Sequence, residues 1–189
     1  MSKNFLLESD IENLALDTLK KVGYTIYKSP SSSLPSPEID AMRQNDHATA
    51  LLIDKVEQAL RKLNPGYSEE IYHEALRQLI RLSDNPDMMI NNHYFHKFLI
   101  EGIRVKTTIN GENRTEVLYP IDFKNVEKND FIATNQFTFE GNKERRPDTT
   151  VFVNGLPLVT FEFKDASNPN VSIKNAYRQL QTYKEDIPD

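Results

Sequence analysis

Arg145–Ala166 reads RRPDTTVFVNGLPLVTFEFKDA, and the way this stretch pairs with itself decides the fold around it. Two runs rich in Val, Phe and Thr flank Asn154-Gly155, a dipeptide of tight hairpin turns, so the stretch is a β-hairpin. Glu162 and Lys164 stand two apart on the second strand and leave it on the same face. Whether Asp148 joins them depends on the loop. A two-residue loop puts Asp148 opposite Phe161, away from Glu162. A three-residue loop over Val153–Gly155 puts it opposite Thr160, diagonal to Glu162, and a loop over Asn154–Leu156 puts it directly opposite Glu162. The odd positions Val151, Val153, Val159, Phe161 and Phe163 are apolar, whereas Asp148, Thr150, Thr160, Glu162 and Lys164 are polar. A one-residue slip would mix the two sets. The pattern therefore predicts a three-residue loop or an equivalent bulge, with all three charged side chains on one side.

Two carboxylates and a backbone carbonyl, which Phe163 would supply, are hard oxygen donors of the kind Mg²⁺ takes. Such a metal neutralises charge on a phosphate and acidifies a water, and a Lys two residues on can orient that water or stabilise developing charge. Asp-x(13)-Glu-x-Lys also occurs by chance in many chains, and the alternative is an edge-strand cluster of ordinary ion pairs.

The 189 residues fit one domain with a sizeable core, supplied in bulk by ten Phe and eight Tyr in the absence of Trp. No apolar run approaches the roughly 20 residues of a membrane helix, and the N-terminus lacks the apolar run of a signal peptide. The absence of Cys removes disulfides and thiolate metal sites and suits the cytoplasm. A net charge of -5 argues against a protein that simply coats DNA with basic surface, but allows an acidic metal site beside a local basic patch.

Ahead of the hairpin, Ser9–Glu12 reads as a capping box opening an amphipathic helix that stops at Gly23. Tyr24–Tyr27 is a short strand, and Ser29–Pro37 a Pro/Ser surface loop or hinge. Helical spacing returns over Ile39–Leu63 and Glu69–Leu82, with Asp84–Asp87 as a breaker. A segment of open type, Tyr94–Ile100, follows. Ile103–Ile109 and Thr115–Phe123 form a second hairpin around Asn110-Gly111, Ile132–Phe139 is a further strand, and Ile173–Lys184 a last helix. Helices, then antiparallel strands, then a helix indicate an α/β (α+β) chain with a mixed sheet flanked by helices. It divides into a helical part of about 1–101 and a sheet part of about 102–189, within one domain.

The run RPDTTVFVNGLPLVTFEFKDA followed by AYRQLQTYK resembles the nuclease domain of the R subunit of type I restriction endonucleases, members of the PD-(D/E)xK superfamily. The resemblance rests on Pro147-Asp148, Val153–Val159, Glu162-Phe163-Lys164 and Gln179-x-x-x-Tyr183, with a weaker likeness from Glu8 to Tyr24. It implies a restriction-endonuclease-like fold, Asp148 and Glu162 as metal ligands, Lys164 as the catalytic lysine, and Mg²⁺-dependent cleavage of double-stranded DNA. It also implies partner subunits for methylation and site specificity, and accessory roles for Gln179 and Tyr183. Many such nucleases add a Glu from an earlier helix: Glu8, Glu12, Glu70 and Glu74 are candidates, with Glu74 carried as the accessory residue. Lys143, Arg145 and Arg146 would grip phosphate just before Asp148, or form a solvated loop. His93 and His96, at metal-ligand spacing but without a third partner, read as ordinary histidines.

R subunits also carry an ATP-driven motor, and Gly-x-x-x-x-Gly-Lys-Ser/Thr is absent here. The chain thus reads as an N-terminal piece without an ATP site, ending where the family fold would add another strand. A related repair or recombination nuclease, or a non-catalytic docking module, are the alternatives.

Overall fold

A computed structural model describes residues 7–31, 34–84, 87–109, 111–140, 143–164 and 172–186. Asn110 of the second turn, Asn85 and Pro86 of the breaker, Ser32 and Ser33 of the Pro/Ser loop, and Asp165 and Ala166 fall outside them. Helix α1 (Glu8–Lys21) leads to strand β1 (Thr25–Tyr27), then α2 (Pro37–Met42), α3 (Ile53–Leu63), α4 (Glu69–Ile80) and α5 (Met88–Glu101). Next come the hairpin β2 (Ile103–Ile109) and β3 (Glu112–Leu118), then β4 (Phe131–Asn135), β5 (Phe139–Glu140) and β6 (Glu144–Arg145). The chain closes with β7 (Thr149–Val153), β8 (Leu156–Phe161) and α6 (Ile173–Asp186).

Four strands make one sheet in the order β1-β4-β7-β8, with β1 parallel to β4 and the remaining pairs antiparallel. This is a mixed sheet among helices. Its edge strand β1 comes from the N-terminal part of the chain, so both parts build it.

Strand β7 is central, and Thr149–Phe152 are all buried. Val151 packs with Leu16 of α1 and Ala133, while Phe152 packs with Ile39, Leu52, Ile132, Phe137 and Phe139. A further cluster joins α3 and α4 to Ile103, Val105 and Leu118 of the β2–β3 hairpin. The polar side of the quoted hairpin is therefore polar only at its Asp148 end, because Phe152 lies in the core.

The turn has two residues, and of the two expected devices the bulge, not a third loop residue, sets the register. Asn154 and Gly155 have φ of 53° and 83°, Val153 pairs with Leu156, and Phe152 with Pro157. Beyond that the register shifts: Val151 pairs with Val159, Thr150 with Thr160 and Thr149 with Phe161, leaving Leu158 as the extra residue of a bulge. Pro157 has no N–H for the ladder, which suits it to this irregular position. The turn is anchored sideways: Asn154 Nδ2 donates to Pro120 O at 2.8 Å, and Asp130 N donates to Asn154 Oδ1 at 2.7 Å. Leu52 N donates to Gly155 O at 2.9 Å, so backbone crowds the glycine.

Three local expectations need correction. The helix expected over Ile39–Leu63 is two helices, α2 and α3. The chain turns at Gln44 and Asn45, both at positive φ, to bury Arg43 completely. Its guanidinium pairs with Asp40 at 2.7 Å, donates to Thr138 O at 2.6 Å and lies over the Phe137 ring. Helix α1 is capped at Leu7, whose N–H donates to Asp10 Oδ2 at 3.0 Å, so Ser9 and Glu12 form no capping box and Glu12 is left for other bonds. The strand expected over Ile132–Phe139 breaks at Gln136, which adopts φ 55°. The segment of open type belongs to α5, whose start is capped by the Asp87 side chain on Met89 N and Ile90 N.

Candidate active site

Pro147 closes β7 on its N-terminal side, and the last ladder pair is Thr149 with Phe161. One step beyond stand Asp148 and Glu162, opposite each other and on one side of the sheet. The bulge sets this parity, since an unbulged two-residue hairpin would turn Asp148 toward Phe161. Asp148 Oδ2 accepts the Phe163 N–H at 2.6 Å. Glu162 is nearly enclosed, its side chain 1% exposed, and both oxygens are engaged. Lys164 Nζ donates to Oε1 at 2.7 Å and Tyr183 Oη to Oε2 at 2.9 Å. Gln179 Nε2 in turn donates to Tyr183 Oη at 2.9 Å, so the i, i+4 pair on α6 reaches the cluster as one chain of hydrogen bonds.

Burial pushes the Asp148 carboxyl up to about 6, assisted by the charges of Glu162 and Glu12 and opposed by the Phe163 N–H and by Lys164. Burial works against the Lys164 ammonium, but the hydrogen bond and charge of Glu162 prevail and raise its pKa, with Glu8 and Asp148 adding to the effect. Burial also raises the Tyr183 phenol, which stays a donor.

Glu12 enters the neighbourhood from α1. Its carboxylate accepts from Asn135 Nδ2 at 2.5 Å and from Gln136 Nε2 at 3.0 Å. Asn135 is itself oriented by Ser29 N on Oδ1 at 2.8 Å, and Gln136 N donates to Asp148 O at 3.3 Å. The irregular end of β4 thus links the helix carboxylate to the strand that carries Asp148.

Glu74 is not brought to this cluster. It sits on α4, bonded to Arg77 and to Gln78 of its own helix, and α4 packs against α3 and β2. In the fold Glu12 lies one turn before the buried Leu16, on the side of α1 turned to the sheet, whereas Glu74 lies between Glu70 and Gln78 on a polar face of α4. Arg145 lies in β6 and Arg146 pairs with Glu144 at 2.7 Å, both with Lys143 just ahead of Asp148. His93 and His96 are exposed on α5, and no group of three metal-ligating side chains surrounds them among the described residues.

The donor set fits a divalent cation. Two carboxylates face one another, burial and the Glu162 charge push the Asp148 carboxyl up to about 6, and a dication held by the two would relieve the cost of ionising it.

The family described as the type I restriction enzyme R protein N terminus matches residues 5–189. A putative type I restriction enzyme MjaIXP endonuclease subunit of Methanocaldococcus jannaschii is 34% identical over 182 residues, 94% of this chain and 17% of that protein. The type I restriction enzyme HindI endonuclease subunit of Haemophilus influenzae is 34% identical over 186 residues, 97% of this chain and 17% of that protein. The chain thus spans 17% of the length of these relatives. Among the described residues no helix is long and apolar enough to cross a membrane.

Proposed function

The chain belongs to the family of type I restriction enzyme R protein N termini, and from that premise we propose that it is the nuclease domain of such an enzyme, hydrolysing phosphodiester bonds of double-stranded DNA with Mg²⁺. The observation that carries this reading is the meeting of Asp148, Glu162 and Lys164 on one side of the sheet, supported from behind by Tyr183. Asp148, Glu162 and the Phe163 carbonyl would hold the metal. When bound, it supplies charge neutralisation at the phosphate and a more acidic water.

The chain's own groups do the rest. Lys164 keeps its proton and offers ammonium hydrogens to an attacking water or to charge developing on phosphate. Tyr183 and Gln179 fix the Glu162 carboxylate so that it need not reorganise. Glu12, tied down by Asn135 and Gln136, adds negative field next to Asp148. Lys143, Arg145 and Arg146 would steady the DNA backbone beside the cluster. Site choice falls to the methylase and specificity subunits, ATP-driven movement to the rest of the enzyme, and the work to the cytoplasm.

Plasmid cleavage with Mg²⁺, by this chain and by the R subunit assembled with its partners, tests the reading. Asp148→Ala and Lys164→Ala, each checked for a cooperative melt, should lower cleavage at least about 100-fold. A folded Asp148→Ala protein that cuts as well as the parent would defeat the assignment.

A further inference from the structure

The β2–β3 ribbon lies outside the cluster just described, and its two faces differ in charge. On one, Ile103, Val105 and Leu118 are buried against α4, while burial and then the charge of Glu116 raise the pKa of the Tyr67 phenol and Glu112 pairs with Arg114 at 3.0 Å. On the other, the register sets Arg104 opposite Val117, Lys106 opposite Thr115 and Thr108 opposite Asn113. Arg104, Lys106, Thr108, Asn113 and Thr115 are exposed, and this face carries no carboxylate. Glu101, at the root of the ribbon, approaches Arg104 only to 3.9 Å. Lys106 forms no ion pair among the described residues. A hollow of about 430 Å³ runs along the ribbon, lined by Lys106, Thr107, Thr108, Asn113, Arg114 and Thr115.

In a chain of net charge -5, acids have been confined to one side of a ribbon whose other side offers cations, hydroxyls and an amide. Arg104 and Lys106 stand two residues apart, about 7 Å along the strand. That spacing suits a partner bearing repeated negative charge. We propose that this face binds the phosphate backbone of double-stranded DNA, a contact separate from the basic residues before Asp148. It rests on the nuclease reading, which supplies the duplex as partner.

The test is fluorescence anisotropy of a labelled duplex titrated with the 189-residue chain in EDTA, so that nothing is cut. Wild type is compared with Arg104→Gln/Lys106→Gln and with the charge-conserving Arg104→Lys/Lys106→Arg, all checked by thermal melting. Each phosphate contact adds about 0.9 to the slope of log affinity against log salt. Loss of two contacts therefore means that, between about 50 and 200 mM salt, wild type loses about 12-fold more affinity than the Gln variant. The charge-conserving variant should keep the wild-type slope.

A Gln variant with the wild-type slope overturns the proposal. So does a wild-type chain that binds no duplex, or an acidic polypeptide that displaces the duplex as well as an equal charge of DNA does. A chain that binds through this face, when neither it nor the R subunit assembled with its partners cuts with Mg²⁺, supports the ribbon and defeats the nuclease reading. A chain that cuts and is indifferent to Arg104→Gln/Lys106→Gln does the reverse.

Discussion

Asp148→Asn should make the protein more stable at pH 7.5 and no more stable at pH 4. The Asp148 carboxyl titrates near 6 in the fold against an ordinary 3.8, so the folded state holds this proton more tightly than the unfolded chain does. The stability contributed by the protonated group is fully present below 3.8 and is lost as pH rises through about 6. A gap of about two pH units amounts to at most about 3 kcal/mol. Asp148 is partly exposed, and solvent screening brings the expected effect to about 1.5 kcal/mol. Asn keeps an oxygen to accept the Phe163 N–H and carries no charge to repel Glu162. For a domain of this size, that predicts a melting temperature about 3–6 °C above wild type at pH 7.5. The difference should close between pH 6 and pH 4 as Asp148 takes up its proton. Differential scanning fluorimetry across pH measures it directly. Adding Mg²⁺ should invert the ranking, because a ligand at about 100 times its Kd stabilises the binding-competent protein by about 2.7 kcal/mol. If Asp148→Asn melts at or below wild type at pH 7.5, or by the same margin at pH 4, the account of opposed carboxylates is wrong.

Tyr183→Phe removes the donor to Glu162 and the acceptor for Gln179, and should cost about 2 kcal/mol, read as a lower urea midpoint. Gly155→Ala combines a left-handed φ of 83° with a Cβ placed 2.6 Å from Leu52 O; a loss above about 2 kcal/mol is expected on calorimetry. Arg43→Ala removes the shorter of two ion pairs on Asp40, leaving His47 at 3.4 Å, and takes the donor from the Thr138 carbonyl; it should lower stability by about 3 kcal/mol, with loss of the β5 amides' protection in hydrogen exchange.

The hairpin's sidedness was legible because alternation is a property of residues in order. Its loop was not, because a three-residue loop and a two-residue loop with a bulge can give the same parity at Asp148. The break between α2 and α3 was invisible for a different reason. Apolar spacing continues through Leu51 and Leu52, while the event that bends the chain is the burial of a charged residue, Arg43, which no hydrophobic pattern signals. The proximity of Asp148, Glu162 and Lys164 could be read from register, and that of Gln179 to Tyr183 from helix spacing. That Tyr183 turns to Glu162, and that Glu12 rather than Glu74 approaches, depends on how helices dock on the sheet. Docking joins Tyr183 to Glu162 across 21 positions and Glu12 to Asn135 across 123, which local periodicity does not encode.

The bulge at Leu158 also gives the hairpin slack in one direction. Strand β8 carries one more residue than its partner needs, so losing any one residue between Leu158 and Phe161 could be absorbed by straightening the strand, with Glu162 still facing Asp148. Losing Val151 or Phe152 from β7 would leave two residues unmatched and draw Asp148 past its partner. Length changes in the two strands are therefore unequal in consequence: β8 can be shortened by one, and β7 cannot.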